Sequence, residues 1–395
     1  MKETEKVFRL MQSYMEANQL EMTQENMDKF VKLYNSKQLG NEYKTNEDRS
    51  YEFYEEALEE KDETRQVELL ERALEIYPHN YDAFIALIAI KNTSAKKRLK
   101  KLNEKILEAD KEMEERGFME DIGNFYKMQG TRPYMRLYYA KLQLELSDEQ
   151  YNNAVATAER ILLLNKNDNL GVRYTLSGLY LYFRAFDSFE SLWKKYPSAH
   201  DACRAADFAL EAAYQGNESL YRRRLNKLKD LNIFLYVFLA AKDFDCFSIQ
   251  PADYYSPGSI QEADVYYDDH EFLFDDAGLE KIPGIPGVSF ASVLPEKEMS
   301  AVTILFIAEY LYNRRKTEFT EKALFATKPK DINIPSEDFH NKLLLLQESG
   351  ILQYEPKSKK WKFTTKGEGI MAVLANKIEE ALCEADDFLD EEEPE

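Results

Sequence analysis

The sequence predicts a mainly α-helical protein, and two observations support this. From Asn46 to about Lys242, glycines are few and apolar residues recur every three or four positions, which is the period of a helix that buries one face. Beyond Pro251 the pattern changes to proline-glycine turns followed by short helical segments and a hairpin. We therefore expect a long helical region followed by a smaller domain of different construction.

The clearest helix of the first region begins at Tyr151, where apolar residues form a single stripe up to Leu162. The preceding helix spans Arg132 to Leu146 and has Pro133 in its first turn, a position that favours proline. The following helix is expected to start at the capping residue Asp168. Three helices in close succession indicate an array of helix pairs.

Three of these helix pairs share a junction, in which an apolar helix end is followed by a short polar turn and a new helix. The junctions are ALEIYPHNYDAF (73–84), ILLLNKNDNLGV (161–172) and WKKYPSAHDACR (193–204). Asn165 and Tyr196 are 31 positions apart, close to the period of about 34 residues in tetratricopeptide repeats. The pattern predicts a tetratricopeptide-like helical-repeat solenoid, in which Thr93 to Arg116 is a charged helical insertion. A nonrepetitive helical bundle is the alternative.

The same stretches resemble a known family. The segments 65–84, 132–176 and 251–263 are similar to bacterial tetratricopeptide proteins related to the suppression-of-tumorigenicity-seven family, over roughly residues 46–265. The most specific motifs are RPYMR (132–136), NKNDN with GVRY (165–174) and DYYSPGS (253–259). The resemblance implies a helical-repeat interaction scaffold and no defined chemistry.

The C-terminal region predicts a small winged-helix-like domain. Helices are expected at about 298–315, 321–326 and 336–349, then a hairpin of ILQYE (351–355) and KWKFTT (360–365), and a last helix from about Lys366. Three helices, a two-stranded wing and a helix form the order of a winged helix-turn-helix domain. The predicted divisions are a helical lead (1–45), the repeats (46–250), an acidic helix and linker (251–295), the winged-helix-like domain (296–383) and an acidic, disordered tail (384–395).

Composition narrows the classes of function. The 395 residues include 52 basic and 72 acidic side chains, a formal net charge of −20, so nucleic acid is not the default partner. The longest apolar run, Asn232 to Ala241, is too short for a membrane span, and the N-terminus lacks the features of a signal peptide. Three widely spaced cysteines, at positions 203, 246 and 383, fit no disulfide framework and indicate a cytoplasmic protein.

Motifs of enzymes and metal sites are missing from the sequence. The phosphate-binding patterns GxxxxGK[ST] and GxGxxG do not occur, and none of the four histidines has a partner at metal-ligand spacing. The densest acidic cluster lies around Asp268 and His270, where a cation site competes with the simpler interpretation of a solvated helix face. We expect no enzymatic activity, no cofactor and no metal.

The repeats supply a candidate binding surface. Arg132 and Arg136 are four apart on one helix, and Asn169 and Arg173 are four apart on the next, so each pair can share a face. These side chains and the nearby tyrosines are predicted to form a groove that binds a protein or peptide segment. Its residues are Arg132, Tyr134, Arg136, Tyr138, Asn169, Arg173 and Tyr174. The alternative is that the arginines pair with Glu145 or Asp168 and fasten adjacent repeats.

The wing supports a second hypothesis, a DNA-associated transcriptional regulator whose repeats sense a partner. Its candidate phosphate contacts are Lys357, Lys359, Lys360, Trp361 and Lys362. The helix expected to enter the DNA groove carries Glu337 and Asp338 and no arginine, which disfavours base recognition. The adaptor is therefore the leading hypothesis, and the acidic tail is a candidate intramolecular competitor for its groove.

Overall fold

In a computed structural model of the chain, the residues described are 3–36, 44–92, 94–198, 200–242, 255–289, 299–327 and 336–375. They confirm a mainly helical protein. The chain divides into two compact units, Met1–Leu179 and Tyr180–Glu395. The predicted acidic tail, 384–395, lies outside the described residues, and the predicted domain boundaries stay predictions.

The first unit is a succession of helices joined by short turns. These are α1 (Glu3–Ala17), α2 (Gln24–Asn35), α3 (Asn46–Glu59), α4 (Glu63–Ile76), α5 (Tyr81–Lys91), α6 (Ala95–Glu115), α7 (Arg132–Ser147), α8 (Tyr151–Leu164) and the greater part of α9 (Val172–Tyr182). Side-chain caps fix several of the starts. Thr45 and Asp48 form a reciprocal capping box at α3, and Asp62 and Asn80 cap α4 and α5.

Consecutive helices from α3 to α8 pack against each other, and the alternate pairs α1/α3, α3/α5 and α5/α7 also touch. Helix α3 packs on α4, and α7 packs on both α6 and α8. Helix α5 contacts α3 on one side and α7 on the other, so the first members of successive helix pairs are neighbours. This arrangement brings charged residues of α3, α5 and α7 onto adjoining helices.

Helix α6 covers most of the segment 93–116, for which the sequence predicts a charged helical insertion. Its apolar residues are few among the charged ones. Five of them, at steps of three or four, are buried: Leu99, Leu102, Ile106, Ala109 and Met113. The helix packs on α7 and also contacts α5, because a narrow stripe with regular spacing is enough to bury one side of a helix whose other faces are charged.

The second unit begins with a helical array. It contains α10 (Phe186–Lys195), α11 (Ala202–Tyr214), α12 (Glu218–Leu231), α13 (Ile233–Ala241), α14 (Ile260–His270) and α15 (Asp276–Lys281). Helix α11 presents several buried alanines, which allow α12 to pack closely. Helix α13 is buried along nearly its whole length, and in the described ranges no helix is long and apolar enough to traverse a bilayer.

The C-terminal elements occur in the predicted order. They are α16 (Met299–Asn313), α17 (Glu321–Phe325), α18 (Ser336–Glu348), β1 (Leu352–Glu355) and β2 (Lys360–Phe363), followed by a helical stretch at 365–375. The two strands pair antiparallel, with Leu352 opposite Phe363 and Glu355 opposite Lys360. The predicted hairpin and the helices around it are therefore confirmed as elements.

Candidate protein-binding surface

Helix α7 presents two arginines to its neighbours. Pro133 occupies the first turn, where its missing N–H costs no hydrogen bond, and the helix starts at Arg132. Arg132 and Arg136 lie one turn apart and both reach the carboxylate of Glu5, on α1. The structure thus confirms that the two arginines share a face, and it places a segment of the same chain upon them.

Arg136 forms an ion pair with a carboxylate of α5. Its Nε donates to Oδ1 of Asp82 at 2.6 Å and its Nη2 donates to Oδ2 at 2.7 Å, a two-pronged pairing. The phenol of Tyr51 donates to the same Oδ2 at 2.9 Å. Asp82 is buried, with 7% of its surface exposed, so the guanidinium is oriented by groups inside the helical array.

The outer edge of the same guanidinium faces Glu5. Nη1 and Nη2 of Arg136 and Nη1 of Arg132 all lie 3.3 Å from carboxylate oxygens of Glu5, and the Glu5 residue is 4% exposed. Arg132 is steadied separately, because its Nε donates to the carbonyl of Tyr126 at 2.8 Å. The Glu5 contacts are longer than those to Asp82 and lie slightly beyond the usual donor–acceptor distance of an N–H···O hydrogen bond.

Opposite charges keep this half-buried group ionised. Burial lowers the pKa of Arg136, but the hydrogen bonds and charge of Asp82, with the charge of Glu5, outweigh it and raise the pKa. Burial, followed by the charge of Asp82, raises the pKa of Tyr51 well above its usual value. Two guanidinium groups against one inner carboxylate leave a single positive charge, which Glu5 neutralises.

Helix α1 also contacts α3 through cations. The Nζ of Lys6 lies 2.8 Å from Glu55, and Arg9 pairs with Glu47 at 2.9 Å and with Asp48 at 3.3 Å. The guanidinium of Arg9 lies 4.4 Å from the centre of the Tyr51 ring, a cation–π contact. We call the charged side of α3, α5 and α7 that α1 contacts the first-helix surface; its residues are Glu47, Asp48, Glu55, Asp82, Arg132 and Arg136.

The two tyrosines predicted to flank the arginines are placed differently. Tyr134 is fully buried against Phe125 and donates to Asp110 of α6 at 2.7 Å. Tyr138 is also buried, and its hydroxyl lies 3.2 Å from the same carboxylate. Both hydroxyls point toward α6 because a tyrosine in a core still needs a partner for its hydroxyl. Tyr138 also lines an open pocket between α6, α7 and α8, together with Glu145 and Arg160.

The predicted residues near α9 form a local capping cluster. Asp168, in a left-handed conformation, accepts the N–H groups of Val172 and Arg173, and its carboxylate lies 2.9 Å from the Arg173 guanidinium. That guanidinium also contacts the ring and the hydroxyl of Tyr174, and Asn169 is exposed in the turn. The helix starts at Val172 rather than Asp168 because the aspartate caps it from across the turn. Arg173 thus pairs with Asp168, as the alternative predicts, but this pairing is local to the start of α9, whereas Glu145 pairs with Lys141.

The residues predicted for nucleic-acid contact divide into two groups. Trp361 is 3% exposed, with its ring 4.8 Å from that of Tyr354, and Lys360 pairs with Glu318. The tryptophan is therefore a core residue of the hairpin rather than a platform for bases. The remaining lysines, Lys357, Lys359 and Lys362, are exposed.

The acidic cluster around His270 is partly a core feature. His270 was expected on a solvated helix face, yet it is fully buried, with its Nε2 3.1 Å from Oδ1 of Asp207. Tyr266 donates to the same oxygen at 2.9 Å and stacks on the imidazole ring at 4.1 Å. Within the described ranges, no three such side chains are grouped as ligands for a metal ion.

The partners of Arg136 could not be identified from the sequence. Asp82 follows the capping residue Asn80 at the start of α5, and Glu5 lies 131 positions from Arg136. The only local signal was a carboxylate in the first turn of a helix that also carries a buried face. Comparison with known proteins adds no constraint, since no family model, curated protein or solved structure matches the chain.

Proposed function

We propose that the chain is a non-enzymatic scaffold that binds a segment of another protein on the first-helix surface. The observation that carries this proposal is the Arg136 guanidinium, whose inner edge is fixed by Asp82 while its outer edge binds a carboxylate on a separate helix. A receptor group that is already oriented loses little freedom when its ligand binds. The surface is thus suited to binding a carboxylate presented by a helix, as it binds Glu5 of α1.

The solenoid and its family likeness are part of the same proposal. The contacts of α5 with both α3 and α7 support tetratricopeptide-like repeats, whose first helices line one side of a stack. The motifs at 132–136 and 165–174 support a relation to the suppression-of-tumorigenicity-seven family. A cytoplasmic location is supported by the spacing of the cysteines, of which Cys203 is a buried free thiol.

The test is affinity purification of the full-length protein from its own cells, with and without nuclease, followed by mass spectrometry. We expect a protein partner that survives nuclease and is lost when Arg136→Glu reverses the receptor charge. Arg72→Glu is the matched control, because Arg72 pairs only with the exposed Glu75 on its own helix among the contacts described. Circular dichroism must show that both variants are folded. Retention of every partner by the folded Arg136→Glu protein would contradict the proposal.

A DNA-associated regulator is the second candidate, supported by the three exposed lysines on and beside the hairpin. Lys357, Lys359 and Lys362 can contact phosphates without breaking a core contact. Sequencing of DNA recovered without nuclease tests it. Enriched sites that disappear in a Lys357→Glu, Lys359→Glu, Lys362→Glu protein would favour the regulator over the scaffold.

A further inference from the structure

Helix α1 is attached to the first-helix surface by charged side chains at three positions of one short motif. Glu5 meets the arginines of α7, while Lys6 and Arg9 meet the carboxylates of α3. Positions 5 and 9 are four apart and share a helix face. The surface therefore matches a helix with the pattern Glu-Lys-x-x-Arg, which has an acid at its first position and bases one and four positions later.

The apolar side of α1 is used elsewhere. Met11 and Met15 are buried against Phe30 of α2, in a cluster whose members all lie between residues 7 and 34. The apolar cluster of α3, α4 and α5 is a separate one, with members between residues 53 and 90. The α1–α2 hairpin thus keeps its own small core. Its junction with the first-helix surface is rich in ion pairs, and salt weakens chiefly the more exposed ones, those of Lys6 and Arg9 with α3.

The receptor is complete without Glu5. Asp82 binds Arg136 at 2.6–2.7 Å and the Tyr126 carbonyl binds Arg132 at 2.8 Å, whereas every Glu5 contact is 3.3 Å long. Removing Glu5 would leave two guanidinium groups and one carboxylate, a net positive charge oriented toward the vacated position. A carboxylate on another helix satisfies the same geometry and charge.

We propose that α1 is a resident, displaceable ligand, and that the partner of this protein is an amphipathic helix carrying the Glu-Lys-x-x-Arg charge pattern. The partner helix replaces α1, and the α1–α2 hairpin is released as a unit with its own core. This inference rests on the proposed function and specifies its ligand. Tethering makes α1 a strong competitor, because a short connection keeps the local concentration of the hairpin near the millimolar range.

The test uses a full-length chain in which α1 cannot dock, Glu5→Lys with Arg9→Glu. The probe is a fluorescent peptide with the natural sequence of residues 1–36, measured by anisotropy at low salt. We expect it to bind the reversed chain at least tenfold more tightly than the wild-type chain, whose surface is occupied. A chain with Glu25→Lys and Lys29→Glu is the matched control, because that exposed pair lies within α2; it should bind the peptide as weakly as wild type.

Two further results are required. A peptide carrying Glu5→Lys and Arg9→Glu should lose at least tenfold in affinity for the reversed chain, and raising salt from about 50 to 500 mM should weaken the natural peptide similarly. In the wild-type chain, hydrogen exchange of α1 should accelerate with salt while that of α8 does not. Equal peptide binding to the reversed and wild-type chains, or salt-independent protection of α1, would overturn the proposal.

The proposed function and the displacement of α1 are contradicted by different results. If the full-length protein captures a partner that depends on Arg136 while α1 keeps its exchange protection in the complex, the scaffold stands and displacement is wrong. If no partner depends on Arg136 but the peptide still binds the reversed chain, the surface accepts a helix only from its own chain. The two inferences are thus separately open to refutation.

Discussion

At the scale of single residues, the contribution of a charged group in the described part of the chain depends on whether its partner is buried. Arg72 and Arg136 are both helix-surface arginines, but Arg72 pairs with an exposed glutamate while Arg136 bridges a buried aspartate and a buried glutamate. An exposed pair contributes little to the free energy of folding, whereas removing one member of a buried pair leaves the other charge without compensation. An arginine–carboxylate pair therefore contributes little to the stability of the fold at Arg72 and contributes substantially at Arg136.

His270 gives a pH dependence whose sign follows from its surroundings. Burial lowers its pKa, but the charge of Asp207, whose Oδ1 lies 3.1 Å from Nε2, and the charge of Asp269 raise it, and the net shift is upward from about 6.5. A raised pKa in the folded state means that the protonated imidazole stabilises the fold fully below pH 6.5. That contribution is lost as the pH rises through the pKa that His270 has in the folded state.

We expect the melting temperature of the wild-type protein to fall between pH 6.5 and 8, and to fall less in His270→Gln. Differential scanning calorimetry in buffers of matched ionic strength measures this. Burial raises the pKa of Asp269 to about 6, so the contribution of its protonated form to the stability of the fold is also lost as the pH rises. Most of that loss occurs below pH 6.5. Equal slopes in the two proteins would show that His270 is not protonated in the fold. His340→Gln, at an exposed histidine paired with Glu321, is the matched control.

At the scale of elements, the sequence pattern predicts a helix or hairpin correctly where its formation depends on neighbouring residues. Helix α8, with its stripe from Tyr151, and the hairpin around Trp361 follow directly from apolar period and turn residues. The docking of α1 could not be predicted in this way. Its specificity depends on Glu5, one of 72 acidic residues, meeting arginines 127 and 131 positions away, and no local pattern encodes such a separation. Burial of Tyr134 was missed because an aromatic residue beside two arginines fits a core and a binding site equally well.

The helical stretch 365–375 depends on close approach by its glycines. A Cβ on Gly367 would lie 2.2 Å from the carbonyl oxygen of Ile351, and one on Gly369 would lie 2.5 Å from the ring of Phe234. Backbone oxygen cannot move aside as a flexible side chain can. The stretch is thus seated against the hairpin and against α13 only because these positions lack side chains.

We expect Gly367→Ala to destabilise the second unit by about 1–3 kcal/mol, the usual cost of forcing extra volume into a packed contact. Gly284→Ala is the control, because its nearest neighbour would be 3.8 Å away, an ordinary contact. Urea unfolding followed by tryptophan fluorescence measures both. A Gly367→Ala midpoint equal to that of the control would mean that the stretch is not held against Ile351.

At the scale of the whole molecule, the division into two units has a spectroscopic consequence. Both tryptophans, Trp193 and Trp361, belong to the unit Tyr180–Glu395, and Met1–Leu179 contains none. Tryptophan fluorescence therefore reports on the second unit alone, while far-ultraviolet circular dichroism reports on the helices of both. Chains of several compact units commonly unfold in more than one step, and the two signals can separate those steps.

Arg136→Met provides the perturbation for the first unit. It leaves Asp82 buried without its cation, and we expect a loss of about 3 kcal/mol in the free energy of unfolding of Met1–Leu179. This is the lower end for a broken buried pair, because part of the Arg136 side chain is exposed. In urea, the circular dichroism transition of that unit should move to lower denaturant while the tryptophan transition keeps its midpoint. Gly367→Ala should do the converse, and Arg72→Met should move neither by more than about 0.5 kcal/mol. If Arg136→Met shifts both transitions equally, the two units unfold as one, and any partner that displaces α1 would change the stability of the whole chain.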